Sequence, residues 1–315
     1  MQLIERFAAD LAALWPAVSA EGSWLGLAVS GGPDSLALLL LAARAIPGAV
    51  AAATVDHGLR PEGAAEAAAV ARICASLDVP HRTIAVTVEP GNVQSEARAA
   101  RYRALADWMM ADGLSALATA HHADDQAETL LLRLNRASGV AGLAGVRARG
   151  VVPGTRLPLL RPLLGWRRSE LADVVSDAGL VAADDPSNRD NRYDRARLRK
   201  ALADADWIDV PALAQSAAHL ADADAALDWA AAREWAENVE QSGMGITYRP
   251  QAPRAVALRV LARIVTELDG EAPRGGAVAR LFEALLARQP ASIGGLVARA
   301  MPGGWSFGKA PGRRT

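Results

Sequence analysis

The stretch LGLAVSGGPDSLALLL, from Leu25 to Leu40, constrains the fold of this 315-residue chain more than any other segment. The apolar run Leu25–Val29 ends in a Ser-Gly-Gly turn, and a second apolar run starts directly after Asp34 and Ser35. Pro33 suits the first position of a helix, where its missing N–H would have no partner in any case. The stretch therefore predicts a buried strand, a sharp turn and a buried helix.

The same alternation of strands and helices continues through the first half of the chain. Further strands are predicted at Val50–Val55, Arg82–Val86 and Ser115–Thr119. Helical patterns are predicted near Pro33–Ala45, Pro61–Leu77, Gln94–Ala111 and Ala123–Arg136. Strands that alternate with helices favour βαβ units, so the predicted fold class is α/β with a doubly wound parallel sheet.

The second part of the chain has a different texture. From about Asp204 it consists mostly of alanine-rich helical patterns, and it closes with two short apolar runs around Pro302-Gly303-Gly304, which is typical of a β-hairpin. We predict a larger domain over residues 1–203 and a smaller, mainly α-helical domain over 204–315 that ends in a short hairpin.

Composition excludes several classes of protein. The formal net charge is −1, so overall charge does not indicate a nucleic-acid partner. A local basic face could still bind one. The single cysteine, Cys74, excludes a disulfide within the chain and a cysteine-rich zinc site. The first helical pattern carries Glu5, Arg6 and Asp10, unlike a signal peptide, and no apolar run is long enough to span a bilayer. We expect a cytoplasmic protein without a membrane partner.

The turn after the first strand has the features of an anion site. Glycines let a ligand approach the backbone, and the free N–H groups at a helix start attract anions. Ser30 and Ser35 add hydroxyl groups, whereas Asp34 would repel a phosphate unless a divalent cation or a cationic substrate lay between them. The turn lacks the GK[ST] ending of the P-loop. The alternative is an ordinary glycine-rich turn in which serine and aspartate only cap the helix.

Two other polar strings follow predicted strands, TVDHGLRPEG after the second and HHADDQAET at the fourth. Asp125 and Glu128 are three residues apart on a predicted helix and therefore share a face, which suits Mg²⁺ or a substrate amine. Acids in a first helical turn can also serve only to complement the helix dipole. His121 and His122 are either histidines at a strand end or metal ligands.

These strings together resemble the tRNA(Ile)-lysidine synthetase family of the PP-loop ATP pyrophosphatase superfamily. The matching segments are SGGPDS, VDHGLR, Ala97-Arg98 with Arg101-Tyr102, HHADDQAET, Arg161–Leu164 and Asp185–Asn188. Two positions depart from the family pattern: Ala137 stands where R-G-S-G has glycine, and Ala196 stands where R-N-R-[IL]-R has asparagine. The resemblance is dense over residues 24–200 and thin beyond.

The resemblance implies an adenine nucleotide alpha hydrolase-like fold, with a PP-loop ATP-binding catalytic domain in residues 1–203, and a two-step reaction. ATP adenylates the 2-carbonyl oxygen of the cytidine at the first anticodon position of tRNA(Ile) with a CAU anticodon, and the amine of free lysine then displaces AMP. The implied ATP-binding residues are Ser30, Gly31, Gly32, Pro33, Asp34, Ser35, Thr54 and His57. The implied catalytic residues are Asp34, which would hold Mg²⁺, Asp125 and Glu128, which would also bind lysine, and Arg101. For Arg101, a solvated helix arginine is the alternative.

A basic strip follows the predicted catalytic domain's last motif. It comprises Arg189, Arg192, Arg195, Arg197, Arg199 and Lys200, against Asp190 and Asp194. We predict that it binds tRNA through phosphate contacts, with a solvated charged face as the alternative.

Three other functions remain open at this point. A tRNA thiolase of the same superfamily would normally need cysteines to hold sulfur, and an amidotransferase-type synthetase subunit would leave the arginine strip unexplained. A non-catalytic nucleotide- or tRNA-binding module would have no need for acids beside phosphates. The sequence also leaves a homodimer open.

Overall fold

The computed structural model describes residues 1–20, 22–58, 63–86, 93–183, 194–243 and 245–310. The chain forms two compact units, Met1–Ala221 and Asp222–Thr315. The division between these units falls after Ala221, later in the chain than the predicted domain boundary after residue 203. The predicted boundary stays a prediction.

The first unit contains a six-stranded sheet. Its strands are β1 (Leu25–Ala28), β2 (Val50–Asp56), β3 (His81–Ala85), β4 (Ala116–Ala118), β5 (Arg149–Val151) and β6 (Pro158–Leu160), in the order β3-β2-β1-β4-β6-β5. All neighbours run parallel except β5, which is antiparallel to β6. The four predicted strands are confirmed, whereas β5 and β6 were not predicted.

Helices cover both faces of this sheet. The helices of the first unit are α1 (Gln2–Leu14), α2 (Pro33–Ala45), α3 (Gly63–Ser76), α4 (Val93–Ala111), α5 (Ala123–Leu134), α6 (Val140–Leu143), α7 (Arg168–Asp177) and α8 (Asp194–Ala203), with a 3₁₀ turn at Pro16–Ser19. Helix α9 (Val210–Asn238) begins in the first unit and ends in the second. Leu25 and Leu27 of β1 share one core with α1, α2, α3 and α7, while Leu117 of β4 shares another with α4. Alternate strand residues therefore point to opposite cores, which confirms the doubly wound α/β fold.

The central helix α2 is buried along most of its length because its sequence is apolar on every side. All its residues from Ser35 to Ala42 are buried. Beneath it, β1 lies between β2 and β4 in the middle of the sheet. The turn that joins β1 to α2 is thus held between two buried elements, which fixes the position of its backbone.

The second unit combines helices with an antiparallel sheet. Besides the later part of α9, its helices are α10 (Arg254–Asp269) and α11 (Gly275–Leu286). Its strands are β7 (Val239–Ser242), β8 (Gly245–Tyr248), β9 (Ala291–Ile293), β10 (Leu296–Met301) and β11 (Gly304–Lys309), in the order β7-β8-β11-β10-β9. The strands β10 and β11 pair antiparallel across Pro302-Gly303, while the sheet around them was not predicted. Of the helices described, none is both long enough and apolar enough to cross a membrane.

Candidate active site

A cleft of about 550 Å³ opens at the carboxyl ends of β1, β2 and β4. In an open parallel sheet, ligands bind beyond these strand ends, where the connections diverge to opposite faces. The lining includes the turn after β1 (Ser30, Gly32, Pro33, Asp34 and Ser35), the end of β2 (Thr54, Asp56 and His57), the end of β4 (Thr119 and His121), Arg101 of α4 and Asp125 of α5. The structure therefore brings the three polar strings together around one cavity.

The turn between β1 and α2 leaves the start of the helix without a side-chain cap among the described residues. Gly31 has a φ of +90°, which favours glycine, and Gly32 is the N-cap residue. Ser35 Oγ donates to the carbonyl of Gly32 at 2.9 Å and accepts from the backbone N–H of Ser30 at 3.2 Å, which closes the turn on itself. Within the described ranges no side chain caps α2. Its first N–H groups therefore remain available to an anion.

A long-range backbone contact also fixes this turn. The N–H of Ala183, which follows α7, donates to the carbonyl of Gly31 at 3.0 Å. A side chain on Gly31 would place its Cβ 3.3 Å from Val70 Cγ2 of α3. The turn is thus packed against two other segments of the unit, and its geometry is set by tertiary contacts as well as by its glycines.

Asp34 places a carboxylate beside this helix start. Its side chain is 29% exposed, and Oδ2 lies 3.4 Å from Nε2 of His122. The other oxygen, Oδ1, is buried without a hydrogen-bond partner among the residues that the structure describes. The described residues contain no group of three metal-binding side chains. Mg²⁺ usually takes only one or two carboxylates plus substrate phosphates, so Asp34 fits that ion's requirements.

The start of α5, in contrast, is closed by its own side chains. Nδ1 of His122 accepts from the backbone N–H of Asp125 at 3.4 Å, and Oδ2 of Asp125 accepts from the N–H of His122 at 3.2 Å. Together they form a capping box. Asp125 still lines the cleft, so a single carboxylate both caps the helix and faces the cavity.

Two neighbours of Asp125 have structural partners. Asp124 accepts from the Arg167 guanidinium, at 3.2 Å from both Nε and Nη2, and from the N–H of Arg168 at 2.8 Å. Burial alone would raise the pKa of Asp124, but these hydrogen bonds outweigh it and hold the pKa below its usual value. The Gln126 amide pairs with both backbone groups of Val146 at 2.8 Å. Of these three residues, Asp125 lines the cleft, while Asp124 and Gln126 form hydrogen bonds to two other segments of the unit.

Glu128 lies deeper along the same helix. It is 2% exposed, and its carboxylate accepts from Arg199 Nε at 2.9 Å and from Nη2 at 3.4 Å. Burial disfavours the charge on Arg199, yet Glu128, with Asp125 and Asp34 further away, raises the pKa of its guanidinium. Glu128 is not part of the cleft lining described above. In the structure its immediate partner is thus an arginine of α8, and its predicted contact with lysine stays a prediction.

Arg101 of α4 lines the same cleft as Asp34 and Asp125. Its Nε is buried and has no hydrogen-bond partner in the part of the chain described above. Its guanidinium lies 5.7 Å from the ring centre of Tyr102, and that of Arg98 lies 5.0 Å from the same ring. Burial lowers the pKa of Arg101, and Arg98 adds to the effect, although an arginine stays charged at neutral pH. Arg101 therefore brings a desolvated positive charge to the cleft wall.

His121 is a neutral group in this environment. Its Nδ1 lies 3.0 Å from Thr119 Oγ1. Burial lowers the pKa of His121 to about 4, and the charges of Arg161, Arg101 and Arg98 add to that effect while Asp125 opposes it. The imidazole therefore carries no charge at neutral pH and can act in the cleft as a hydrogen-bonding group.

The two predicted ATP-binding residues of the β2 segment also line the cleft. Thr54 Oγ1 lies 2.9 Å from His81 Nε2 of β3. Burial lowers the pKa of His57, the charge of Arg101 adds to this, and Asp56 opposes it. Both residues thus present polar atoms to the same cavity as the first turn.

Comparison with known proteins decides the family. The model of a PP-loop domain matches residues 4–205, which include every cleft residue named above. A protein of Novosphingobium aromaticivorans named tRNA(Ile)-lysidine synthase is 49% identical over 314 residues, which cover 98% of this chain and 94% of the relative. This chain belongs to the tRNA(Ile)-lysidine synthase family.

Other comparisons agree with this family or extend the fold. A tRNA(Ile)-lysidine synthase of Zymomonas mobilis is 40% identical over 299 residues, covering 92% of this chain and 89% of the relative. The solved U34-tRNA thiolase NcsA from Methanococcus maripaludis, with its [4Fe-4S] cluster, superposes with a TM-score of 0.57 at 15% identity and covers 69% of this chain and 76% of its own. That likeness concerns the fold. Membership makes the chain a tRNA-modifying enzyme of the lysidine synthase family with an ATP-binding PP-loop domain.

The basic strip divides into several environments. Arg195 and Lys200 of α8 are exposed. Arg197 donates to Asp194 at 2.7 Å, and Asp194 also accepts from Arg136, after the end of α5, at 2.9 Å. Arg199 is the partner of Glu128 described above. Arg189 and Arg192 lie outside the described residues, as does the family motif Asp185–Asn188.

Sequence reasoning left open His122 and did not consider Arg168. His122 is fully buried and connects the two turns, while Arg168 Nη2 lies 3.5 Å from His122 Nε2 and 4.0 Å from Glu128 Oε1. The acid three residues after His122 was the only local signal for its capping role, and histidine itself is an uncommon N-cap residue. Nothing local indicated Arg168, because its partners lie on α5.

Proposed function

We propose that this chain joins lysine to the cytidine at the first anticodon position of tRNA(Ile) with a CAU anticodon, forming lysidine through an adenylated tRNA. One observation supports this most strongly. An uncapped helix start, a carboxylate with a free buried oxygen and a desolvated arginine surround one cleft in an enzyme of the lysidine synthase family. Adenylation needs these three features because it moves negative charge onto a leaving pyrophosphate.

In the first step, the cytidine 2-carbonyl oxygen attacks the α-phosphorus of ATP, and the bond to the β-phosphate oxygen breaks. The turn from Ser30 to Ser35 would bind the released pyrophosphate through backbone N–H groups and the two serine hydroxyls. Thr54 and His57 would contact the rest of the nucleotide. Asp34 would hold Mg²⁺, which when bound neutralises phosphate charge. Arg101 would lie near the α-phosphate, where negative charge increases.

In the second step, the lysine amine attacks C2 of the activated base. The bond between C2 and the AMP oxygen breaks, and AMP leaves. Asp125 would contact the amine, a role supported by its position in the cleft lining. Glu128 would take part only if Arg199 released at least part of its contact with that carboxylate. We therefore propose Asp125 as the primary ligand of lysine. Glu128 would be a second ligand, which gives up its contact with the Arg199 guanidinium and binds the lysine amine instead.

The tRNA would lie along α8, which carries the exposed Arg195 and Lys200. Arg189 and Arg192 of the same strip would add phosphate contacts, and Arg197 would contribute if Asp194 shared it with the phosphates. Each phosphate contact that is lost should flatten the salt dependence of binding by about one unit of slope. Arg199 has the strongest competing partner and is the weakest candidate in the strip.

A thiolase reaction is less well supported by the chemistry of the chain. The single cysteine, Cys74, is buried in α3, and burial raises the pKa of its thiol to about 11. A buried thiol of high pKa is a poor nucleophile because the thiolate is the reactive form.

The decisive experiment incubates the protein with ATP, radiolabelled lysine and tRNA(Ile) bearing CAU. We expect label to enter the tRNA and AMP and pyrophosphate to form in equal amounts. A methionine tRNA with the same anticodon should accept no label, and Asp34→Asn should prevent the reaction with the correct tRNA. Pyrophosphate release without lysine transfer to tRNA would refute the proposed ligation while leaving an adenylating enzyme.

A further inference from the structure

His122 lies between the two turns that build the cleft. It is 0% exposed, and its ring is bordered by groups from three elements. Nε2 lies 3.4 Å from Asp34 Oδ2 of α2, 3.5 Å from Asp125 Oδ2 of α5 and 3.5 Å from Arg168 Nη2 of α7. Nδ1 lies 3.7 Å from Asp124 Oδ2. The single atom Nε2 therefore contacts one acid of the turn after β1, Asp34, and one acid of the turn after β4, Asp125.

The hydrogen bond that Nδ1 of His122 accepts from the start of α5 favours one tautomer of the ring. Nδ1 accepts from the backbone N–H of Asp125, so that nitrogen carries no proton. A neutral imidazole then carries its proton on Nε2, where Asp34 and Asp125 each present an oxygen. Arg168 can only donate, so its 3.5 Å contact with Nε2 is a hydrogen bond only in the other tautomer, and the same Nη2 lies 4.0 Å from Glu128 Oε1. In the tautomer with Nε2 protonated, that proton faces a carboxylate oxygen of each turn, with Nε2 at 3.4 Å from Asp34 and 3.5 Å from Asp125.

We propose that His122 is a positioning residue for Asp34. By donating from Nε2 to Oδ2, His122 fixes the rotation of the Asp34 carboxylate and leaves Oδ1 as the oxygen available to the cation and pyrophosphate. The same proton lies between Asp34 and Asp125 and reduces the repulsion between them. The proposal rests on the proposed function, in which Asp34 holds Mg²⁺ beside ATP.

Two substitutions separate this role from helix capping. Asn is a favoured N-cap residue, so His122→Asn keeps an acceptor near the position of Nδ1 but removes the donor that reaches Asp34. His122→Gln has a longer side chain, which keeps an amide donor near the position of Nε2 and loses the cap. A capping role predicts that Asn is the better replacement, whereas a positioning role predicts that Gln is.

The readout is ATP binding by calorimetry, with and without Mg²⁺ and in the absence of lysine and tRNA, together with the melting temperature. For wild type, Mg²⁺ should strengthen ATP binding. We expect His122→Asn to reduce that strengthening by about 10- to 100-fold, the usual loss when a residue that orients a metal ligand is removed. His122→Gln should lose less, even if its melting temperature is lower than that of the Asn variant.

Asp34→Asn completes the test. In that background, His122→Asn should cause no further loss of the Mg²⁺ effect, since a residue that acts through Asp34 is not additive with it. If Asp34→Asn weakens the Mg²⁺ effect but His122→Asn does not, or if Gln is no better than Asn, His122 only caps the helix and the proposal is wrong. If Asp34→Asn retains the full Mg²⁺ effect, the proposed cation role of Asp34 is refuted, and the positioning role with it.

Discussion

The turns after β1 and β4 start helices from adjacent strands of one sheet, yet they treat the helix start in opposite ways. At α2 the N-cap is Gly32 and the first N–H groups have no side-chain partner in the described structure. At α5, the His122 side chain accepts from the backbone N–H of Asp125, and the Asp125 side chain accepts from the backbone N–H of His122. A helix start can either be stabilised by its own sequence or keep its donors for a ligand. This cleft contains one of each.

The difference also explains where the acids lie. The carboxylates at α5 have partners within the protein: Asp125 in the capping box, Asp124 with Arg167, and Glu128 with Arg199. Asp34 at α2 retains an oxygen without a partner among the described residues. The turn after β1, called the open turn below, therefore keeps backbone donors and a carboxylate oxygen that a charged ligand could use. In the turn after β4, called the closed turn below, the polar groups already have partners within the protein.

The largest expected effect is at the open turn. Asp34→Ala should lower the rate of pyrophosphate release by about a thousandfold, because several kcal/mol of charge stabilisation by the cation are lost. The fold should remain, since this partly exposed side chain belongs to no apolar core. Pyrophosphate release and circular dichroism are the measurements. A folded Asp34→Ala protein that releases pyrophosphate at nearly the wild-type rate would remove the functional difference between the turns.

The next effect concerns the closed turn's helix. Glu128→Gln should raise the KM for lysine far more than the KM for ATP, by about 10-fold or more, since a buried charge pair is worth a few kcal/mol. Arg199 would then lose its charged partner, so the melting temperature should also fall. Steady-state kinetics with each substrate varied in turn provide the test. Arg136→Gln, which breaks the exposed pair with Asp194, is the control and should leave both KM values unchanged. Equal increases for lysine and ATP would make Glu128 a structural residue.

A smaller effect separates the two glycines of the open turn. Gly31→Ala should lower the free energy of unfolding by about 1–2 kcal/mol, because its φ of +90° is unfavourable for alanine and its Cβ would crowd Val70. Gly32→Ala is the matched control, since a Cβ there meets no described atom nearer than Ser30 Oγ at 3.8 Å. Its stability should change by less than about 0.5 kcal/mol. Urea denaturation without ATP measures both, and equal losses would mean that the turn is not strained at Gly31.

The smallest effect lies just after α5. Ala137 has a φ of +51°, in the left-handed region, at the position where the family pattern has glycine. Ala137→Gly should therefore stabilise the protein by about 1 kcal/mol, the cost of a left-handed conformation for a residue with a Cβ. Ala127→Gly, in the interior of α5, should destabilise it. Thermal unfolding of the two variants gives opposite shifts if the loop is strained and shifts of the same sign if it is not.

The sequence predicted those parts of the molecule that depend on local patterns. Four strands with apolar runs and the turn at Ser30–Ser35 follow from composition and spacing. The strands β5 and β6 escaped prediction because β5 contains arginine and glycine and β6 begins with Pro158, whereas the equally short β4 is wholly apolar. The antiparallel sheet of the second unit also escaped, since strands such as GITY are short and lie between long helices.

The partners of site residues could be predicted less well than their identity. The shared face of Asp125 and Glu128 follows from helical spacing, but only the fold brings Arg199 to Glu128 from a distant part of the chain. The role of His122 as a helix cap was hidden because histidine is not among the residues that usually cap helices. Long-range pairs and unusual caps depend on tertiary packing, which no short motif records.

The hydrogen bond from Ala183 to Gly31 has a consequence for the order of folding. The turn that we propose to bind nucleotide is encoded near the start of the chain, but its backbone contacts are completed by a residue that is synthesised much later. Contacts of such sequence separation form slowly because a long loop must close first. On the ribosome, we therefore expect β1, β2 and β3 to assemble before the turn reaches its final shape. Nucleotide would then begin to stabilise the growing polypeptide only after most of the first unit has emerged.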